Sequence, residues 1–183
     1  IKEDYEMKKF LIATNSLKDE NLILTSKISD YIKIHGGQVL SVTGDSKNGM
    51  FYEDGNDSDF DCVIALGGDG TILKAGRDLR HLNIPIVGVN LGTLGFLAEI
   101  EPDQIFPVID RLMRDEYELE PRMNLKGMVY KKNQENPIVE DIAMNDIVVS
   151  RAGFSRIIGL KVYVNGKVID IYEADGIIVS TPT

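Results

Sequence analysis

The chain has 183 residues, with 20 Lys and Arg against 29 Asp and Glu for a net charge of −9, and is 43% hydrophobic and 27% charged. Such a composition supports a globular protein with a sizeable core and excludes a nucleic-acid surface, since no basic stripe is available to neutralise phosphates. The one cysteine, Cys62, allows neither a disulfide framework nor a cysteine zinc site. No apolar run reaches membrane-spanning length and the first residues lack the form of a secretory signal. The expectation is a cytoplasmic protein with no membrane and no nucleic-acid partner.

Met7-Lys8-Lys9 before an apolar run reads as a natural start. Residues 10–13 are short and apolar and end in Thr14-Asn15-Ser16, which predicts a first strand and its turn. Leu24, Ile28, Tyr31 and Ile32 recur at helical spacing, with Asp19 and Glu20 near the positive end and Gly36-Gly37 as the stop. Residues 38–43 alternate as a second strand, completing a βαβ unit. Residues 44–59 are rich in Gly, Asn, Ser and acids, interrupted by Met50-Phe51-Tyr52; the acids lack the spacing of a Ca²⁺ loop and predict a solvated loop.

Residues 62–66 are continuous, apolar and partly β-branched, as in a strand buried on both faces of a parallel sheet. Gly67-Gly68-Asp69-Gly70 follows at once. Its three glycines let the backbone turn sharply and let a ligand approach the N–H groups. Thr71 is predicted to cap the next helix, whose N-terminus favours an anion. Asp69 is the odd member, because a carboxylate repels phosphate. It suits two roles, a general base toward a sugar hydroxyl or a ligand to a divalent cation that bridges to phosphate, and both point to phosphoryl transfer. A plain Gly-Asp-Gly turn between strand and helix is the alternative. Lys74, about one turn along, reaches toward a ligand at the turn or into solvent. His35 and His81 have no partner at a ligand spacing and read as structural.

Residues 84–89 predict another buried strand, followed by the loop Asn90-Leu91-Gly92-Thr93-Leu94-Gly95-Phe96-Leu97. Ligands collect at the carboxyl ends of strands in open parallel sheets, so the two glycine loops are expected to wall one crevice, with Phe96 able to stack on a base or pack beneath the loop. A helix begins near Pro102, with Ile105, Val108, Ile109 and Leu112 on one face. The character changes over 114–121. Beyond it Met123, Leu125 and Val129 alternate, as do Leu160, Val162 and Val164, and Asn165-Gly166 signals a hairpin. The predicted architecture is an α/β domain over 1–102, parallel and Rossmann-like, then a helix and a mostly antiparallel β domain over 103–183. In the latter, Asn145-Asp146 lies between apolar runs and suits ribose hydroxyls, or a β-turn. Asp175-Gly176 opens the last stretch, which ends in Ser180-Thr181-Pro182-Thr183, a candidate third ligand wall.

Together, Gly67-Gly68-Asp69-Gly70-Thr71, the Asn90 to Leu97 loop, Asn145-Asp146 and Asp175-Gly176 through Thr183 closely resemble the NAD kinases, from about residue 10 to the last. The resemblance implies phosphorylation of the 2′-hydroxyl of the adenosine ribose of NAD, with ATP (in some members polyphosphate) as donor and a divalent metal, Mg²⁺, by a cytoplasmic homo-oligomer, a dimer or tetramer. The family's proposed general base falls on Asp69 and the adjoining dinucleotide contact on Gly70, with Gly67, Gly68 and Gly70 as the phosphate loop. Its basic residue on the following helix falls on Lys74, its Asn-Asp/Glu pair on Asn145 and Asp146, its downstream arginine on Arg156 and its DG aspartate on Asp175. Phe96 and Thr183 complete the expected NAD-binding set, and Asp69 is the one candidate metal ligand. Glu173 stands where some members place a basic contact, so that contact is not carried over. The family's Gly-Ser-Thr-Ala-Tyr segment does not follow Thr183, which implies that part of the NAD pocket and of the second domain is missing and that this chain is inactive alone. Lipid kinases of the diacylglycerol and sphingosine type share the GGDG turn, and a non-catalytic dinucleotide-binding module is a further alternative. The Asn-Asp pair and the Ser-Thr-Pro-Thr ending favour NAD over a lipid.

Overall fold

The computed structural model describes residues 6–44, 51, 59–92, 95, 97–98, 100–153 and 156–182. Phe96 and Thr183, two of the predicted contacts, lie outside the described residues. The chain forms two compact units, Ile1–Pro121 and Arg122–Thr183.

The first unit follows from the burial of its strands. β1 (Lys9–Thr14), β2 (Gln38–Thr43), β3 (Cys62–Gly67) and β4 (Ile86–Asn90) form a parallel sheet in the order β2-β1-β3-β4. Side chains alternate between the faces of a strand, so β1 and β3 feed two cores. Phe10, Ile12, Ile64 and Leu66 pack with Ile28 and Ile32 of α1 (Ile23–Ile34) and with Ile105, Ile109 and Leu112 of α3 (Ile105–Met113). Leu11, Ala13, Val63 and Ala65 pack on the other face with Ile72 and Ala75 of α2 (Asp69–Asp78), and with Phe51. Burial of a large aliphatic side chain is worth about 1.5–3 kcal/mol. Sheltered from water on both sides, the central strands β1 and β3 are the stable part of the molecule. Cys62 belongs to β3: burial first, and the Asp61 charge second, push its thiol up to about 12, so it stays protonated and inert.

A division at residue 102 places α3 with the second domain; in the structure it belongs to the first. Its apolar face is needed to cover the β1–β3 face beside α1, and Tyr31 of α1 donates a hydrogen bond to Asp110 of α3 at 2.8 Å.

α1 is held from outside its own first turn. Asn21 and Leu22 take left-handed φ values of 55°, and Asp19 reaches past them to accept the N–H groups of Leu24 (2.9 Å) and Thr25 (2.8 Å) and the Thr25 hydroxyl (2.6 Å). Burial alone would raise the Asp19 pKa, but the hydrogen bonds from the Thr25 side chain and from the N–H groups of Leu24, Thr25 and Ile23 outweigh it and hold the carboxyl below its ordinary value. The stabilisation is therefore present above the ordinary carboxylate pKa and lost as pH falls through the lowered one. Asp19→Ala should cost about 1–2 kcal/mol in urea unfolding at pH 7, and the gap to the parent should shrink steadily as the pH is lowered below about 4.

The second unit is antiparallel, as its alternation predicts. β5 (Leu125–Val129) pairs with β6 (Val139–Ala143), β7 (Asp146–Ser150) with β10 (Gly176–Ser180), and β8 (Ile158–Val164) with β9 (Lys167–Ala174). Asn165 and Gly166 both have positive φ, 50° and 77°, as a type I′ turn between β8 and β9 requires. Among the described residues none of this unit is fully buried, and Ile171 and Ile178 are 64% and 65% exposed. Hydrogen exchange should separate the two units: amides of β1 and β3 exchange only on global opening, whereas those of β8 and β9 exchange orders of magnitude faster. Equal protection of both would show a core the second unit does not display.

Candidate active site

β1 connects to β2 on one side of the sheet, and the chain then crosses to β3 on the other, so the connections diverge between β1 and β3. Such a switch point opens a crevice at the carboxyl ends of the strands. A cleft of about 460 Å³ lies there, entirely within the first unit, and Asn15, Lys18, Gly68, Asp69, Lys74 and Gly95 are among its lining residues.

Helix α2 begins at Asp69 itself, with Gly68 as its N-cap in extended conformation (φ −128°, ψ −169°) and no side-chain cap. Thr71 is thus not the predicted cap. It sits in the first turn, 5% exposed, and its side chain fills the space that a Cβ on Gly67 would need. Gly70 is open, with nothing within 4 Å of where a Cβ would stand. The turn accordingly needs glycine at 67 for close packing, while at 70 it leaves room for a ligand.

The two glycine loops do wall one crevice. Gly67 and Asn90 are register partners at the ends of β3 and β4, the Leu91 N–H donates to Gly67 O at 2.6 Å, and Asn90 Oδ1 accepts the Gly92 N–H at 3.0 Å. The returning segment grips the carboxylate. Asp69 Oδ1 accepts the N–H groups of Leu97 (3.1 Å) and Ala98 (3.3 Å), and Gly95 lies so close that a Cβ there would collide with the Asp69 carboxylate. Asp69 is thereby fixed from both loops, at the start of a helix whose dipole favours an anion.

Lys74 lines the same cleft. Its ammonium lies 3.8 Å from the centroid of the Phe51 ring and 3.6 Å from Asp78 Oδ2, and among the described residues its buried Nζ makes no hydrogen bond. Phe51 comes from the acidic loop and is buried here, with its N–H on Asp78 Oδ2 at 3.2 Å. Its place in the core is a feature that sequence reading missed. Asn15 and Lys18 are missed too, although their position just after the first strand is the same signal that marks the other two loops.

In the second unit Asn145 and Asp146 sit where β7 begins, beside the end of β10. Asp146 is the register partner of Ser180, the Thr181 N–H donates to Asn145 O at 2.8 Å, and the Asn145 amide lies 3.5 Å from Asp146 Oδ1. The Asn-Asp pair and the Ser-Thr-Pro stretch are thus one polar end of one ladder. Asp175 is at the other end, next to the Gly176–Ser150 pair, where it accepts Arg151 Nε at 2.9 Å. Four ladder steps put the two ends roughly 14 Å apart. Asp175 therefore does not join Asn145, and Arg156 is exposed outside the strands.

The fold, a parallel α/β unit followed by an antiparallel β unit, is similar to that of yeast NADH kinase, whose crystal structure is complexed with NADH. That structure matches at a TM-score of 0.68 with 19% identity, over 96% of this chain and 58% of that one. The family model for the ATP-NAD kinase N-terminal domain matches residues 41–117 and that for the ATP-NAD kinase C-terminal domain residues 144–183. The NAD kinase of Lachnoclostridium phytofermentans is 44% identical over 178 residues and that of Agathobacter rectalis 44% over 181, each over 97% of this chain and 62% of the relative. The NAD kinase of Lachnospira eligens is 40% identical over 184 residues, 97% of this chain and 61% of its own length. The chain belongs to the ATP-NAD kinase family, and spans about six tenths of the length of these curated relatives.

The packing of Thr71 beneath Gly67 can be measured directly. Gly67→Ala should destabilise the first unit by about 1–3 kcal/mol through overpacking, and adding Thr71→Ala should recover part of that loss, since the two changes share one space. Strict additivity of the two would mean that they do not touch.

Proposed function

We propose that the protein is an NAD kinase, transferring the γ-phosphoryl group of ATP to the 2′-hydroxyl of the adenosine ribose of NAD. The observation that carries this reading is the Asp69 carboxylate, held by the Leu97 and Ala98 N–H groups at the end of a fully buried strand, in a cleft it shares with lysine ammonium groups.

A ribose hydroxyl is a poor nucleophile at neutral pH, so it must be aimed at the donor and lose its proton as the new bond forms. Asp69 is the group placed to take that proton, and its two backbone donors fix where the accepting oxygen stands. Lys74 and the open backbone at Gly70 offer positive charge and N–H groups to the phosphates. Asn145 and Asp146 present an amide and a carboxylate to the hydroxyls of NAD, and Asp175 and Arg156 are assigned to the dinucleotide on the family resemblance alone. Among the described residues no three His, Cys, Asp or Glu side chains are grouped to hold a metal. That donor set fits a Mg²⁺ carried mainly by the phosphates of ATP, with Asp69 as the one carboxylate among the described residues that line the cleft. When bound, the ion neutralises charge on the transferring group. Polyphosphate as a second donor, a homo-oligomeric state and a cytoplasmic location complete the proposal; the absence of any helix long and apolar enough to cross a membrane, among the described residues, is compatible with it.

Asp69→Asn keeps the size and removes the charge. Assayed in a protein of the relatives' length that carries these residues, it should lower turnover by about 10²–10⁴-fold while NAD still binds. Near-parental turnover would remove Asp69 from the chemistry, and phosphorylation of a lipid alcohol in preference to NAD would replace the substrate assignment.

A further inference from the structure

We infer that Lys18 is a donor-phosphate contact, receiving the phosphate chain of ATP in the cleft that holds Asp69; this rests on the kinase reading above. Four observations converge on it.

Lys18 is firmly based. The turn after β1 is tied to β3 by the Asn15 N–H on Leu66 O at 2.9 Å, and within the turn Asn15 O accepts the N–H groups of Lys18 (2.9 Å) and Asp19 (3.1 Å) while Asn15 Oδ1 accepts that of Leu17 (3.1 Å). The next residue, Asp19, is the buried anchor of α1. The long side chain therefore starts from a fixed point at the switch of the sheet.

Its ammonium lies where two loops leave space for it. Nζ stands 2.9 Å from the position a Cβ would take at Gly68 and, equally, 2.9 Å from that at Gly92. One glycine follows β3 and the other β4, so a side chain at either place would displace the same ammonium from the cleft. The third observation is charge. In a chain of net charge −9, the described residues that line the cleft carry two ammonium groups and one carboxylate. The fourth is availability. Lys74 already faces Asp78 and the Phe51 ring, whereas among the described residues no carboxylate forms an ion pair with Lys18. A phosphate chain entering a cleft that holds Asp69 needs a cation beside it to offset the repulsion, and Lys18, with its ammonium beside Gly68 and Gly92, supplies one.

The test uses inorganic tripolyphosphate, MgATP and adenosine as probes in calorimetric titrations of the chain. Lys18→Gln should weaken tripolyphosphate and MgATP binding about tenfold or more, the loss expected for a charge-assisted hydrogen bond, with adenosine affinity and the melting temperature unchanged. Lys18→Arg should keep most of the affinity, and added salt should weaken the parent more than Lys18→Gln. In turnover assays at the relatives' length, Lys18→Gln should raise the KM for ATP and leave that for NAD unchanged, a split that a merely structural lysine would not produce. Equal tripolyphosphate affinity in parent and Lys18→Gln, or no tripolyphosphate binding by the parent, overturns the inference. Should Asp69→Asn abolish turnover while Lys18→Gln leaves donor binding untouched, the kinase reading stands and Lys18 alone is refuted. Lys18-dependent tripolyphosphate binding without any NAD phosphorylation would do the reverse.

Discussion

The complete burial of β3 is the constraint on which the rest depends. All six residues of Cys62–Gly67 are shielded from water, and a strand can be shielded on both faces only if helices cover both. Right-handed crossovers running in opposite directions from the centre of a parallel sheet put their helices on opposite sides, which is where α1 and α2 lie. The same arrangement sends every connection out from the carboxyl end of its strand. The cleft is thus a consequence of covering the sheet, and its walls are the first residues that the buried strands release into solvent.

If the cleft takes phosphate as proposed, the chain resolves an electrostatic conflict there by geometry. A carboxylate near a phosphate site is unfavourable unless it is held and offset. Asp69 is held by N–H groups arriving from the next loop and by the start of its own helix, and the cleft also holds Lys74 from the same helix and Lys18 from the turn after β1. The glycines divide the labour. Gly67 permits Thr71 to fold beneath it, Gly95 permits the loop to reach the carboxylate, and Gly68 and Gly92 leave space for an ammonium. A side chain at any of these would disturb a neighbour's position before it disturbed the backbone.

The second unit shows the opposite balance. Among the described residues its backbone pairs in three short ladders, yet its aliphatic side chains remain largely in water. Strand pairing satisfies the peptide groups but does not by itself remove apolar surface, and two-stranded sheets are marginal for that reason. Its polar end, where Asn145 and Asp146 meet Thr181, is fixed by hydrogen bonds of the ladder itself and needs no core to be formed.

The local signals in the sequence were strong wherever one residue type meets one backbone need. The apolar run before Gly67, the helical spacing of Leu24, Ile28, Tyr31 and Ile32, the Asn165-Gly166 turn and the pairing of two glycine loops all follow from periodicity and side-chain size, and all are in the structure. The turn at Asp69 was legible for a similar reason, because a carboxylate among glycines is anomalous at the level of composition, and it lines a cleft in the structure. Other features depend on partners distant in sequence. The placement of α3 with the first unit, the burial of Phe51 from an acidic loop, the start of α2 at Asp69 in place of a Thr71 cap, and the separation of Asp175 from Asn145 are set by which surfaces meet. Lys18 belongs with them. Its turn was legible, but the strand order β2-β1-β3-β4 is what carries that turn over Gly68 and Gly92. Local spacing reports what a segment can bury, whereas the neighbours it is buried against are decided only when the sheet assembles.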